Sequence, residues 1–93
     1  MSEIEVRTVD VERLASRFGV RVTDDDGSAT EHDVSLSAAD RERLDAGYPD
    51  PEAFIRACFM FLLEREPKGS ILPSFDVSQI ATYFPEFEAT IRR

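Results

Sequence analysis

The sequence predicts an α+β domain: a small antiparallel three-stranded meander followed by three to four helices, one long central helix packing on the sheet. Three observations carry this. Apolar and polar residues alternate in the first part of the chain, the period-2 signature of half-buried strands. A helical spacing of apolar residues replaces it from Pro51 onward. The chain has 93 residues, which suits one domain over residues 1–93, since domains run about 50–250 residues and a chain this short supports one modest core.

The strands come first. Ile4 and Val6 alternate with Glu3, Glu5 and Arg7, predicting a strand near residues 3–8. Residues 10–18 are ambiguous. Val11, Leu14, Ala15 and Phe18 make a helical stripe with Asp10 as N-cap and Gly19 beyond its end, but Phe18 also belongs to the next strand; a short turn or helical loop joining two strands is favoured. Phe18, Val20 and Val22 alternate with Arg17, Gly19, Arg21 and Thr23, a strand near residues 17–24. His32, Val34 and Leu36 alternate with Glu31, Asp33 and Ser35, a strand near residues 29–36. The turn between them sets their register. A two-residue Asp26-Gly27 loop would put apolar positions opposite polar ones. A three-residue loop of Asp25, Asp26 and Gly27 sets Val22 opposite Thr30, Val20 opposite His32 and Arg21 opposite Glu31, with Gly27 at the left-handed position.

The helices follow. Ser37 can cap a helix near residues 38–45. After the break at Gly47 and Pro49, Asp50 as N-cap and Pro51 at the first position open a long helix near residues 51–66, which Pro67 stops. Its core face is Phe54, Ile55, Cys58, Phe59, Phe61 and Leu62. Asp76, with Gln79 as capping-box partner, opens a third helix near residues 76–84. Pro85 ends it and can begin a last turn carrying Phe87 and Ile91.

Composition excludes several classes of function. Eleven Lys and Arg against nineteen Asp and Glu leave a net charge of −8, which repels a phosphate backbone and argues against nucleic-acid binding. Residues 1–50 hold six basic and thirteen acidic groups, while six of the seven Phe lie at or after Phe54. The start, Met1 to Glu5, has no signal-peptide character. The longest apolar stretch, Ala53 to Leu63, spans eleven residues and contains Arg56, against about 20 for a membrane-spanning helix. The expectation is a cytoplasmic chain with no membrane partner. One Cys excludes an internal disulfide, and one Cys with one His excludes a Cys/His zinc site.

Phe61-Leu62-Leu63-Glu64-Arg65-Glu66-Pro67-Lys68, then Ser70-Ile71-Leu72, Ser74-Phe75-Asp76, Ile80, and Tyr83 to Glu88 together resemble a family of small bacterial proteins with an LEREPK-x-SIL-x-SFD…YFPEFE pattern. The resemblance covers roughly the last 35 residues, with a looser echo in the hairpin. The family has no assigned activity. It implies a small sheet followed by helices and brings no catalytic residue.

The candidate chemistry is thin. Asp24, Asp25, Asp26 and Gly27 evoke a calcium loop, but placing Gly27 sixth puts Val22 first, where a ligand is needed; turn chemistry explains the run. Cys58 has only Phe54, Ile55, Phe61 and Leu62 as helical neighbours and reads as a buried, inert thiol. His32 reads as a part-buried edge imidazole without catalytic partners. Glu64/Glu66 and Glu86/Glu88 point apart on a helix. Ser70, Ser74 and Ser78 suit capping. Arg65 and Lys68 suit the carbonyls of a helix end, and an anion there would face Glu64 and Glu66. No metal, cofactor or catalytic residue is expected.

The strongest signal is apolar excess. The link Pro67–Phe75 carries Ile71, Leu72 and Phe75 where helix connections are ordinarily polar. Two prolines stiffen it, and Tyr83 and Phe84 sit where Pro85 stops a helix. The expected partner-binding residues are therefore Ile71, Leu72, Phe75, Tyr83, Phe84 and Phe87, in a non-enzymatic interaction module that binds a protein partner or a second copy. The same residues could instead seal the core. Two further classes remain: an accessory subunit or small enzyme completed by another chain, and an acidic mimic of a nucleic-acid backbone, which needs carboxylates aligned in rows on one sheet face.

Overall fold

In a computed structural model that describes residues 2–92, the chain is an α+β fold with one four-stranded mixed sheet and four helices. The strands are β1 (Glu3–Val11), β2 (Ala15–Thr23), β3 (Ala29–Ser37) and β4 (Ser74–Asp76), in the spatial order β1-β2-β3-β4. The helices are α1 (Ala38–Leu44), α2 (Pro51–Leu63), α3 (Ser78–Tyr83) and α4 (Phe87–Ile91), with a 3-10 turn at Lys68–Ser70. The expected three-stranded sheet is corrected to four. The meander is antiparallel, but β4 pairs parallel to β3, with Val34 opposite Phe75. A parallel pair needs a crossover connection, and residues 38–73 supply it through α1 and α2.

The hairpin between β2 and β3 has the expected register, Val22 opposite Thr30, Val20 opposite His32 and Arg21 opposite Glu31. Gly27 N–H donates to the Asp24 carbonyl at 2.9 Å, and Asp24 N–H to the Ser28 carbonyl at 2.9 Å. Gly27 has φ +85°, the left-handed value that this turn requires.

Residues 10–18 contain no helix. β1 extends to Val11 and β2 begins at Ala15, so only Glu12–Leu14 turn, closed by Glu12 N–H on the Ala15 carbonyl at 2.9 Å. Pairing with β3 claims Phe18 for the sheet, which outweighs the local helical stripe. A bulge between Thr8 and Asp10 makes Val9 the extra residue. Beyond it, Val11 takes the position opposite Ser16, on the same face as Phe18, Val20 and Val22.

That face is the core. Phe18, Val20, Val22, Val34 and Leu36 are buried beneath α2, whose buried residues are the expected Phe54, Ile55, Cys58, Phe59, Phe61 and Leu62. α2 is capped by the Asp50 side chain on Ala53 N–H at 2.8 Å, with Pro51 in its first turn. It ends at Leu63, three residues before the expected Glu66, and residues 64–66 form turns. α3 starts at Ser78 because Asp76 is held in β4. Half of the expected capping box forms: Gln79 Oε1 accepts from Asp76 N–H at 2.8 Å, while Asp76 Oδ2 accepts from Ser78 N–H at 3.0 Å, and Val77 takes the N-cap position. Among the described residues, no helix is long and apolar enough to cross a membrane.

Two glycine substitutions separate strain from crowding. Gly27→Ala is expected to cost about 1–2 kcal/mol, because a Cβ disfavours the left-handed region, lowering Tm by about 4–8 °C per kcal/mol for a domain of this size. At Gly19 a Cβ would lie 2.6 Å from Arg7 Cζ, the far end of a flexible side chain on the open sheet face. Arg7 can swing aside, so Gly19→Ala is expected to stay within about 0.5 kcal/mol. Thermal melts of the two variants check the contrast, and equal losses would contradict it.

Candidate functional site

The segment after α2 returns across the sheet and docks on β3. His32 is buried, and its Nδ1 lies 2.7 Å from the Leu72 carbonyl while Nε2 lies 2.8 Å from Thr30 Oγ1. A carbonyl only accepts, so Nδ1 carries the proton it donates to Leu72. The imidazole also packs against Phe59, ring centroids 5.3 Å apart, and Phe59 against Phe75 at 5.9 Å. Asp33 N–H donates to the Pro73 carbonyl at 2.8 Å, Val77 N–H to the Ser35 carbonyl at 2.9 Å, and Ser35 Oγ–H to Asp76 Oδ1 at 2.6 Å. Burial pushes the Asp76 carboxyl up, but the hydrogen bonds from Ser35 and Ser78 outweigh it and hold the group below its ordinary value.

This docking leaves a groove of about 340 Å³ between the end of α2, the return segment and α3. Leu62, Ile71, Leu72, Phe75, Ile80, Tyr83 and Phe84 line it, with Glu66, Ser70 and Gln79 as its polar members. Ile71 and Phe75 are buried and form part of its wall. Leu72 is 41% and Tyr83 65% exposed, and Phe84 is half-buried. Five of the six residues singled out from sequence thus meet at one groove. Phe87 does not line it. It is buried, 5.1 Å centroid to centroid from Phe61 in an edge-on pair, because the turn at Pro85 directs α4 back under α2. Leu62, Ile80 and Glu66 join them, outside the residues expected from sequence; the helical spacing of α2 assigns Leu62 to the core.

Other candidate groups are engaged elsewhere. Cys58 is buried, and burial pushes its thiol far above the ordinary value. Lys68 Nζ holds Asp24 Oδ2 at 2.7 Å and Ser28 Oγ at 2.8 Å, and Ser2 Oγ–H donates to Asp24 Oδ1 at 2.6 Å. The bonds from Lys68 and Ser2 keep the Asp24 carboxyl below its usual value. The acidic turn is therefore a tether between the hairpin and the start of the return segment. Arg65 lies over the Phe61 ring, Cζ 3.5 Å from the centroid, donates to the Phe61 carbonyl at 3.0 Å and pairs with Glu86 at 3.1 Å. On the open face of the sheet, Arg17 pairs with Asp33, Arg21 with Glu31 at 3.3 Å and Arg7 with Glu31 at 3.7 Å. Across the strands the register sets Arg21 between Glu5 and Glu31, so arginines intervene between the carboxylates of β1 and β3.

Tyr83→Ala is expected to leave stability within about 0.5 kcal/mol, as for an exposed side chain. Phe87→Ala is expected to cost about 3–5 kcal/mol, as for a buried ring. Denaturant melts of the two variants check this pair of values, and a large loss for Tyr83→Ala would make the ring a core element. The functional reading rests on this geometry, since no protein-family model, no curated protein and no solved structure matches the chain.

Proposed function

We propose that this chain is a non-enzymatic interaction module whose groove receives an apolar side chain from a protein partner. The observation that carries this reading is the groove itself, with its wall from the docked return segment and exposed Leu72 and Tyr83 at its mouth. Its volume sits near the lower end of the roughly 300–1,000 Å³ typical of ligand sites, which suits one or two side chains. Aromatic and aliphatic groups on a rigid frame favour binding because little side-chain freedom remains to be lost. Catalysis has less support. Ser70 lines the groove, but both nitrogens of His32 are engaged by Leu72 and Thr30, and Glu66 is the one acidic group in the lining. The acidic-mimic reading is disfavoured by the arginine pairing on the open sheet face.

A titration with N-acetyl-leucine amide, followed by amide chemical shifts, tests the reading. Saturable shifts confined to Leu72, Phe75 and residues 79–84 are expected, and Tyr83→Asp should abolish them without changing the melting temperature. Shifts that do not saturate, or that spread over the sheet, would overturn it.

A further inference from the structure

The same chain that bears the groove also bears an apolar projection. At the turn between β1 and β2, Leu14 is 77% exposed and Val11 68% exposed. Val11 stands on the helix-side face of the sheet, where the bulge has placed it, yet remains outside the core. Arg13 adjoins Leu14, is exposed, and makes no ion pair among the described residues. The groove presents the complement. Its lining is apolar, and Glu66 has no ion-pair partner among the described residues. An occupant with one or two aliphatic side chains next to a cation matches both features, and the turn Glu12–Leu14 with Val11 is such an occupant, its Glu12 carboxylate lying within the field of Arg17 of its own copy. The turn joins β1 to β2, and the groove lies beyond β3 at the β4 edge, so the two features sit toward opposite edges of one sheet.

From this complementarity we propose that the groove is filled by the β1–β2 turn of a second copy, with Leu14 and Val11 in the apolar lining and Arg13 against Glu66. The proposal rests on the groove being a docking site and names its occupant. The contact joins unlike surfaces, so it closes into a ring or reciprocal pair, or continues as a chain of copies. The other route to self-association, through the free edge of β1, is obstructed. Glu52 Oε2 accepts from Thr8 N–H at 3.0 Å and Thr8 Oγ1–H at 2.6 Å, and Arg56 Nε donates to the Ile4 carbonyl at 3.4 Å. These side chains occupy backbone groups that an added strand would need.

Charge gives the contact a distinguishing salt dependence. Salt weakens the one Arg13–Glu66 pair, which as an exposed pair contributes little, but it also screens the repulsion between two copies of net charge −8, the larger effect, so association should strengthen as salt is added. A basic partner would bind more weakly with salt.

Sedimentation equilibrium of the full chain tests the proposal. The wild type should show a mass that rises above the monomer with concentration and with salt. Leu14→Asp should remain monomeric, and so should Leu72→Asp and Tyr83→Asp, with thermal melts verifying that each variant is folded. A mixture of Leu14→Asp with Leu72→Asp should form a one-to-one complex and go no further, because one variant keeps the groove and the other keeps the projection. A wild type that stays monomeric at every salt concentration overturns the proposal, as does association that survives Leu14→Asp. If the wild type is monomeric while N-acetyl-leucine amide still saturates the groove, only the occupant is wrong. If the amide fails as well, the docking reading falls with it.

Discussion

Between His32 and Ser35, β3 holds the segment Leu72–Val77 through its parallel ladder with β4, one imidazole and one serine hydroxyl, with the Asp33 and Val77 amides bonding across the two ends of the seam. Each such bond contributes a net of about 0.5–1.5 kcal/mol, and a buried polar group left without its partner costs about 1–3 kcal/mol. The energy matters less than the position it enforces. Holding Leu72 and Asp76 in place sets Phe75 opposite Val34 and against Phe59. The bond from Ser78 N–H to Asp76 then ties the start of α3 to β4, and so sets where Tyr83 and Phe84 stand. The groove is the space left between α2 and a segment that β3 will not release. His32 is central because it makes two polar contacts and one aromatic contact at once.

A second set of contacts ties the acidic half of the chain to the apolar half. Lys68, the chain's one lysine, reaches from the return segment to Asp24 and Ser28 of the hairpin. Arg43 of α1 forks onto Glu88 of α4 at 2.7 and 3.1 Å and also holds Asp40. Tyr48 donates from its hydroxyl to the Ile91 carbonyl at 2.6 Å and packs edge-on against Phe54. The exposed ion pairs contribute little individually. The value of the Lys68–Asp24 and Arg43–Glu88 pairs is geometric, since each joins elements far apart in sequence. Glu52 and Arg56, four residues apart on α2, do the same at β1, where they cover backbone groups of an otherwise open edge.

Much of this was legible in the residues. The meander, its register and its turn follow from alternation and from the need of Gly27 for a left-handed backbone, and the start of α2 follows from Asp50 and Pro51. The core face of α2 follows from helical spacing. What escaped is non-local. β4 has three residues, too few for a period to register, and it is a strand only because β3 offers an edge. The apolar character of Ile71, Leu72 and Phe75 was the available signal, and it shows that the link packs without showing that it pairs. The stripe of Val11, Leu14, Ala15 and Phe18 misled for the converse reason, because local spacing there competes with two long-range ladders. At the groove, residues near one another in sequence were found together. Leu62, at the end of α2, and Glu66, in the turn beyond it, join the groove only through the fold. Phe87 looked equivalent to Tyr83 and Phe84 until the turn at Pro85 sent it inward.

The contacts along the seam should lock the return segment to β3 as firmly as the meander is locked to itself. Two amides report on this seam directly, Asp33 N–H on Pro73 and Val77 N–H on Ser35. Native-state hydrogen exchange of these two amides is the most direct measurement, compared with β2–β3 amides in the centre of the sheet. If the account is right, Asp33 and Val77 exchange only with opening of the whole domain, at the free energy of the β2–β3 amides. If they exchange through a separate, lower-energy opening while β2 and β3 stay protected, the segment detaches on its own. The groove would then not be a fixed feature of the fold.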